Sequence, residues 1–218
     1  MDDTNKIPER SLGDGIHAGT KAVLSMIPVA GGSLVELFQF VIQPPLERRR
    51  DEWMRSIGDR LKDLEENGLD LESLQSNEQF VSIVLQATQG ALRTHKEEKL
   101  TAFRNAVVNV AKGQSPDEAV QDILLGLVDQ FSELHLRVLK VLHSPIVPET
   151  LDMGGLETVL QLNIPSLTGQ HELTLKIVKD LFNNGLIKSD IIGMTLTGAG
   201  LRAQQTTIFG ATLIKLIS

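Results

Sequence analysis

Apolar residues recur at intervals of three and four positions along most of the chain, and this spacing predicts amphipathic α-helices. Four successive stripes carry the pattern: Met54, Ile57, Leu61 and Leu64 with Trp53 beside them; Phe80, Ile83, Val84, Ala87 and Ala91; Leu100, Phe103, Val107 and Val110; and Ile123, Leu124, Leu127 and Val128. The positions between the stripes are mostly polar, as on the solvent side of a helix. The pattern predicts a mostly α-helical fold whose N-terminal part is a helical bundle.

Prolines and glycines indicate where some of these helices begin and end. Pro44-Pro45 predicts the start of the first long polar helix, because proline is tolerated at the first helical positions and disfavoured in the interior. Gly68 is expected to end that helix as its C′ residue. Further along, Ser115-Pro116-Asp117-Glu118 predicts a helix capped by the serine, with proline at its first position.

The stretch 22–45 is unusual because Glu36 is its only charged residue. Pro28 and Gly31-Gly32 interrupt it, which predicts two short helices joined by a tight turn, with Ser33 as the N-cap of the second. Each half is too short to span a bilayer, which requires about 20 continuous apolar residues. The pattern therefore favours an apolar helical hairpin that is buried in the bundle.

The alternative is that segment 22–43 docks on a membrane or on a protein partner. A run of three arginines follows it, and such cations suit lipid phosphates as well as the neighbouring acids. The candidate membrane or partner contacts are Val29, Leu34, Phe38, Phe40, Arg48, Arg49 and Arg50. Residues 1–14 are polar and are expected to form a flexible tail.

From Phe131 onward the predicted helices become shorter. One helix is expected over 131–143, a second over 155–162 and a third over 170–183, with prolines after the first two and Gly185 after the third. Residues 191–194 and 195–197 predict two short strands that form a β-wing. A final helix is expected over 200–217.

Two segments in the C-terminal part of the chain resemble a known protein family. They are the run Leu173–Ile187 and the segment Thr195-Leu196-Thr197-Gly198-Ala199-Gly200, and the family that they resemble is the winged-helix family. Its members often have a recognition helix ending in L-x-x-x-G-L-I, then a wing, then L-T-x-x-G before a terminal helix. The resemblance covers about residues 131–218 and implies a small winged-helix-like domain there, preceded by a helical domain over 15–130. The segment Glu97–Asn109 resembles uncharacterised bacterial cytoplasmic proteins, which implies no activity.

The winged-helix resemblance implies that helix 170–183 contacts either DNA or a protein. The candidate contact residues are His171, Thr174, Lys176 and Lys179. This helix has no arginine to read guanine edges. Residues 131–218 hold seven acidic and seven basic residues, so they lack the positive field that nucleic-acid binding needs. DNA is therefore the less favoured ligand.

The amino-acid composition excludes several kinds of chemistry and indicates a cellular compartment. The chain has no cysteine, which excludes disulfides, thiolate metal sites and cysteine nucleophiles and suits a reducing compartment. The N-terminal Met1-Asp2-Asp3 lacks the basic region of a secretory signal. The formal net charge of −7 also disfavours non-specific binding of nucleic acid. We expect a cytoplasmic protein, with a peripheral membrane protein as the alternative.

No catalytic, cofactor-binding or metal-binding residues stand out. Gly13–Lys21 has Gly-Thr-Lys in place of Gly-Lys-Thr and no preceding strand, so a phosphate loop is not predicted. His95 and Glu98 are three positions apart but lack further metal ligands. No G-x-S-x-G motif nominates a nucleophile, although a Ser-His-Asp triad need not be contiguous. The sequence predicts a non-enzymatic interaction or regulatory protein that binds a protein partner or a second copy. Membrane docking and DNA regulation are the alternatives.

Overall fold

The structure, a computed structural model, describes residues 32–190 and 192–218, and the chain divides into two compact units, residues 1–48 and residues 49–218. As the sequence predicts, the described part is mostly helical. Its helices are α1 (Gly32–Glu66), α2 (Leu71–Gln75), α3 (Glu78–Leu92), α4 (Glu97–Ala111), α5 (Glu118–Gln130), α6 (Glu133–His143), α7 (Leu156–Asn163), α8 (His171–Asn183), α9 (Gly198–Arg202) and α10 (Ile208–Ile217). A 3-10 turn (Pro165–Leu167) follows α7, and two short strands are β1 (Met153–Gly154) and β2 (Leu196–Thr197).

Helix α1 runs through Pro44 and Pro45, so the prediction of a new helix start at this proline pair is wrong. The two prolines have no N–H, and the carbonyl groups four residues earlier therefore lose their helical partners. The residues from 42 to 48 are exposed to solvent. Helix α1 continues through both prolines despite the loss of these two hydrogen bonds.

The predicted apolar hairpin is corrected in its second half. Ser33 is the second residue of α1 and not the residue before a helix. Residues 32–43 belong to a helix of 35 residues, and they do not form a separate short helix. The first half of the predicted hairpin, residues 22–31, lies outside the described residues.

Trp53, and not Met54, takes the first core position of the α1 stripe. Trp53 is 4% exposed and Met54 is 54% exposed. Either residue satisfies helical spacing to Ile57, and the larger aromatic ring removes more apolar area from water. The sequence pattern also predicted Ile123 as a core residue of α5, and this is wrong because Ile123 is 57% exposed. The indole Nε1–H of Trp53 donates to Thr88 Oγ1 at 2.9 Å and so ties α1 to α3.

Glycine ends two helices where the sequence predicts it. Gly68 has a φ of +96° and follows α1, and the N–H of Leu69 donates back to the carbonyl of Leu64 at 3.0 Å. Gly185 has a φ of +71° and follows α8 in the same manner. A residue with a side chain rarely adopts this left-handed backbone, which is why glycine is found at both ends.

Helix α5 begins at Glu118, two residues later than predicted, and Asp117 occupies the N-cap position. Ser115 does not cap this helix. Its hydroxyl oxygen accepts a hydrogen bond from the amide of Gln79 at 3.4 Å and is used in that contact. A tertiary partner for the serine thus replaces the local cap that the sequence indicates.

The predicted β-wing is also corrected. β2 pairs antiparallel with β1, Met153 opposite Thr197 and Gly154 opposite Leu196, and not with residues 191–194. Residues 192–194 form no strand, and Ile191 lies outside the described residues. Ile192 is 3% exposed, so its side chain is held in the core and not on the edge of a hairpin.

The core of residues 49–218 is one hydrophobic cluster that includes side chains from Trp53 to Ile217. It contains residues from both sides of position 130, where the sequence predicts a domain boundary. Helix α4 packs against α3 and also against α10, so the C-terminal helix is docked on the bundle formed by the preceding part of the unit.

Candidate functional site

An apolar groove opens between the last turns of α1, the short helix α2 and the first half of α3. Its volume is about 280 Å³, and Gln75 is its only polar lining residue. The lining consists of Leu61, Leu71, Leu74, Gln75, Phe80, Val81, Val84 and Leu85. Val81 is 39% exposed and Leu85 is 59% exposed. The described residues therefore leave an apolar surface uncovered here, and such surfaces often mark interaction sites.

Two helix caps shape this groove. Asp70 caps α2, because its Oδ1 accepts the backbone N–H two residues further on at 3.0 Å. Asn77 caps α3 through a hydrogen bond from the N–H of Phe80, also at 3.0 Å. Helix α2 is only five residues long, so it covers little of the surface beside it. Val81 and Leu85 are four residues apart on α3 and share one exposed face.

The chain that forms the groove is strongly acidic. Positions 61–85 carry six carboxylates and one ammonium group: Asp63, Glu65, Glu66, Asp70, Glu72 and Glu78, with Lys62. All seven side chains are exposed. Exposed carboxylates on the segment that forms the groove favour cationic ligands over anionic ones.

A second cavity of about 440 Å³, called the basic cavity below, lies between the segment that enters α4 and the first turn of α6. It is lined by Thr94, Lys96, Lys99, Ser132, Glu133, Leu134 and Arg137. Three of its four charged side chains are cations, although the whole chain has a net charge of −7. The local charge is therefore opposite in sign to that of the protein.

Ser132, His135 and Asp180 form a hydrogen-bonded chain at the edge of the basic cavity. Ser132 Oγ lies 2.7 Å from His135 Nδ1, and His135 Nε2 lies 3.2 Å from Asp180 Oδ2. The backbone N–H of Ser132 also donates to Nδ1, at 3.3 Å. Because Nδ1 accepts this bond, the neutral ring carries its proton on Nε2 and donates it to Asp180. Phe131 stacks on the ring at a centroid distance of 5.0 Å.

These three side chains have the order of a Ser-His-Asp triad, but a helix cap explains the Ser132–His135 pair. The backbone N–H of His135 donates to Ser132 Oγ at 3.4 Å, which completes a capping box at the start of α6. The arrangement therefore holds the helix start that forms one wall of the basic cavity. The Ser-x-x-His spacing is visible in the sequence, whereas Asp180 is 45 positions away and is found only in the tertiary structure.

Lys99 is the most constrained cation of the basic cavity. Its Nζ donates to the backbone carbonyl of Asp129 at 2.7 Å, while the Asp129 carboxylate accepts a hydrogen bond from Arg93 at 2.5 Å. Partial burial lowers the pKa of Lys99 below its usual value, with Asp129 opposing this and Arg93 adding to it. The ammonium group is thus partly desolvated beside a carboxylate that another cation already engages.

The predicted contact residues on α8 differ in their exposure to solvent. Thr174 is fully buried, and its hydroxyl donates to the carbonyl of Gln170 at 2.9 Å, so its prediction as a contact residue is wrong. Its position faces the core, as helical spacing from Ile177 and Val178 requires. His171, Lys176 and Lys179 are exposed, as a contact surface requires.

Two of these exposed residues already engage acids of the same unit. His171 Nδ1 lies 2.9 Å from Glu157, and Lys176 Nζ donates to both oxygens of Asp180 at 2.5 and 2.7 Å. The Lys176–Asp180 pair reduces the positive charge that the helix presents to a ligand.

The predicted contacts near the N-terminus are described only in part. Val29 lies outside the described residues. Leu34, Phe38 and Phe40 belong to α1, but their side chains are not described. Arg48 is exposed, and Arg49 is half-buried. Arg50 is half-buried as well and pairs with Asp51 at 3.4 Å.

His95 and Glu98 are the two side chains whose spacing in the sequence raised the question of a metal site. Glu98 bonds to Lys140, and His95 is exposed. Over positions 32–190 and 192–218, His, Asp and Glu side chains form no group of three that is arranged for a metal ion. Within the same ranges, every helix falls short of the length or apolar character that crossing a bilayer requires. Residues 13–21, with the glycine-rich run, lie outside the described part.

The chain matches no protein-family model, and comparison with curated proteins and with solved structures gives no match.

Proposed function

We propose that this protein is an interaction protein that binds a basic amphipathic helix of a protein partner. The observation that carries the proposal is the apolar groove between α1, α2 and α3, which is formed by a segment with six exposed carboxylates and one exposed ammonium group. Amphipathic helices commonly dock in such grooves through side chains spaced three and four residues apart. This is the same class of function that the sequence favours.

The apolar side of the interaction comes from Leu85 and Val81. Both side chains are substantially exposed, and a covering partner removes their apolar area from water. Complete burial of a leucine or valine side chain contributes roughly 1.5–3 kcal/mol. Anchors of this kind supply affinity, and the surrounding polar rim selects the partner.

The charge of the partner is inferred from the charged side chains of the segment that forms the groove. Six carboxylates and one ammonium group lie between positions 61 and 85. Lysine or arginine on the flanks of a docked helix complements this field, and acidic flanks are repelled. A basic amphipathic helix therefore fits the groove better than a neutral or acidic one.

The test uses a fluorescent amphipathic peptide of leucine and lysine and a matched peptide of leucine and glutamate. Anisotropy is measured with the wild type, with Leu85→Glu, and with Leu162→Glu as a control. Leu162 is a leucine of similar exposure on α7, outside the groove. We expect Leu85→Glu to weaken binding of the lysine peptide by about tenfold or more and Leu162→Glu to leave it unchanged. Equal binding of both peptides, or equal effects of both substitutions, contradicts the proposal.

The winged-helix assignment of residues 131–218 remains part of this proposal. The order α6, β1, α7, α8, β2 supports it, with two helices in sequence before the second strand. The connection between α7 and α8, residues 164–170, is longer than the three or four residues of a helix-turn-helix. The assignment therefore rests on the order of the elements and on the residues that carry the resemblance.

A protein ligand suits α8 better than DNA does. Lys176 is neutralised by Asp180, and Glu172 offsets Lys179 on the exposed side of the helix. Phosphate contacts need uncompensated cations, and their contribution falls as salt rises. A gel-shift assay at low salt is expected to show no DNA binding. A salt-sensitive shift that Lys179→Ala weakens would favour a DNA-binding regulator instead.

A further inference from the structure

We infer that the basic cavity binds a small molecule that carries a phosphate group. This site is separate from the apolar groove and does not depend on the function proposed for it. The cavity has a volume of about 440 Å³, which lies within the range of small-molecule sites. The inference depends on the charge of the lining side chains and on the hydrogen-bond donors beside them.

The charge of the cavity is its first distinguishing feature. Lys96, Lys99 and Arg137 line it together with a single carboxylate, Glu133. Lys96 Nζ lies 4.0 Å from Glu133, at the outer limit of an ion pair. The lining therefore has a net positive charge in a protein whose net charge is −7. A phosphate group neutralises such a cluster through charge-assisted hydrogen bonds.

Arg137 is the cation most available to a ligand. Over residues 32–190 and 192–218 it forms no ion pair with a carboxylate. Arg137 is half-buried on α6 and lines the cavity. The planar guanidinium donates two parallel hydrogen bonds to a phosphate, which gives direction as well as attraction.

Lys99 provides a second reason for an anionic ligand. Its ammonium group donates to a neutral backbone carbonyl, while Arg93 engages the carboxylate of Asp129. Burial holds the pKa of Lys99 below its usual value, which means that the folded protein disfavours its charged form. An anion in the cavity would favour the charged form of Lys99 and so raise its pKa back toward the usual value.

Neutral donors complete the site. Glu133 and Leu134 begin α6 and line the cavity, and the first N–H groups of a helix have no partner within it. The Ser132–His135 capping box fixes this helix start against the cavity. The helix N-terminus reinforces the cation cluster, since its partial positive charge also favours anions.

Isothermal titration calorimetry on the full chain tests the inference, with pyrophosphate and glycerol phosphate as probes. Glycerol is the uncharged control, and citrate is the carboxylate control. The variants are Arg137→Ala and Lys96→Ala, and Arg60→Ala and Lys112→Ala are their controls. Arg60 and Lys112 are exposed and lie outside the cavity lining. Thermal unfolding of each variant confirms that it is folded.

We expect both phosphate probes to bind, and each cavity substitution to weaken binding by about tenfold. The control substitutions are expected to leave the affinity within about twofold of the wild type. Charge reversal in Arg137→Glu should abolish binding. Absence of saturable binding overturns the inference. So does binding that the cavity substitutions do not change, and so does citrate binding as tight as that of the phosphate probes.

Discussion

The side-chain amide of Asn109, on α4, donates to the carbonyl oxygen of Leu216 at 2.9 Å. The same nitrogen lies 3.2 Å from the carbonyl oxygens of Lys215 and Ser218. Lys215 and Leu216 lie in the last turn of α10 and Ser218 follows it, and carbonyls at a helix end lack a helical N–H partner. A buried asparagine therefore caps a helix that is more than a hundred positions away in the chain.

Asn109→Ala is expected to destabilise the protein by about 2 kcal/mol, because several carbonyls in a nearly buried site lose their donor. Urea unfolding monitored by circular dichroism measures the change in the free energy of unfolding. Asn183→Ala is the control, since Asn183 is exposed at the end of α8. Equal stability of the two variants would show that the Asn109 bonds contribute nothing net.

Gly210→Ala is expected to destabilise the protein by about 2 kcal/mol or more, or to prevent folding. An added Cβ would lie 2.0 Å from the carbonyl oxygen of Leu186, and backbone atoms cannot move aside cheaply. Gly126→Ala is the matched control within a helix, because no atom lies within 4 Å of its Cβ position. That control should stabilise the protein by roughly 0.5–1 kcal/mol. Thermal unfolding distinguishes the two, and a neutral Gly210→Ala would show that α10 can move away from Leu186.

Thr88→Val tests the junction of α1 and α3. The hydroxyl of Thr88 accepts the hydrogen bond from Trp53, and valine keeps the shape while removing the acceptor. We expect a loss of about 1 kcal/mol and a change in fluorescence, for which Trp53 is the only indole in the chain. Thr212→Val is the control, because Thr212 is half-buried on α10 and its hydroxyl bonds within the same helix, to the carbonyl of Ile208. If both variants have wild-type emission and stability, the indole bond does not hold α1 in place.

Asp180→Asn is expected to lower stability at neutral pH. The hydrogen bond from Lys176 lowers the pKa of Asp180 below its usual value; burial opposes this, and His135 adds to the lowering. A carboxyl group whose pKa is lower in the folded state than in the unfolded state stabilises the protein at pH values above its unfolded-state pKa, which is about 4. This contribution is lost as the pH falls through the folded-state pKa.

The stability difference between the wild type and Asp180→Asn should therefore shrink as the pH is lowered below about 4. Urea unfolding at a series of pH values measures it. Asp59→Asn, at an exposed position of α1, is expected to show little difference at any pH. A difference for Asp180→Asn that stays constant down to low pH would assign the effect to packing and not to charge.

Local signals in the sequence were sufficient for much of the secondary structure. Helical spacing located the stripes of α3 and α4, and the left-handed glycines Gly68 and Gly185 mark helix ends as predicted. Interactions within a few residues determine such features, so the sequence pattern contains them. The same signals failed at Pro44-Pro45, because α1 continues through both prolines.

Long-range contacts decided which side chains are buried and which strands pair. The sequence identified Trp53 as lying beside a stripe but not as its buried member, because burial depends on what α3 offers on the other side. It also paired β2 with the wrong segment, since Met153–Gly154 is about forty positions away. Thr174 faces the core for the same reason, because neighbouring helices cover that side of α8.

The two candidate sites show the same division. The acidity of residues 61–85 and the cations at 96, 99 and 137 are properties of the sequence alone. Only the tertiary structure shows where these side chains lie relative to one another. Helix α2 is too short to cover Leu85, and the fold brings Arg137 to the same cavity as Lys96. The sequence determined which charges and apolar groups exist, and the packing of distant helices decided which of them remain accessible to a ligand.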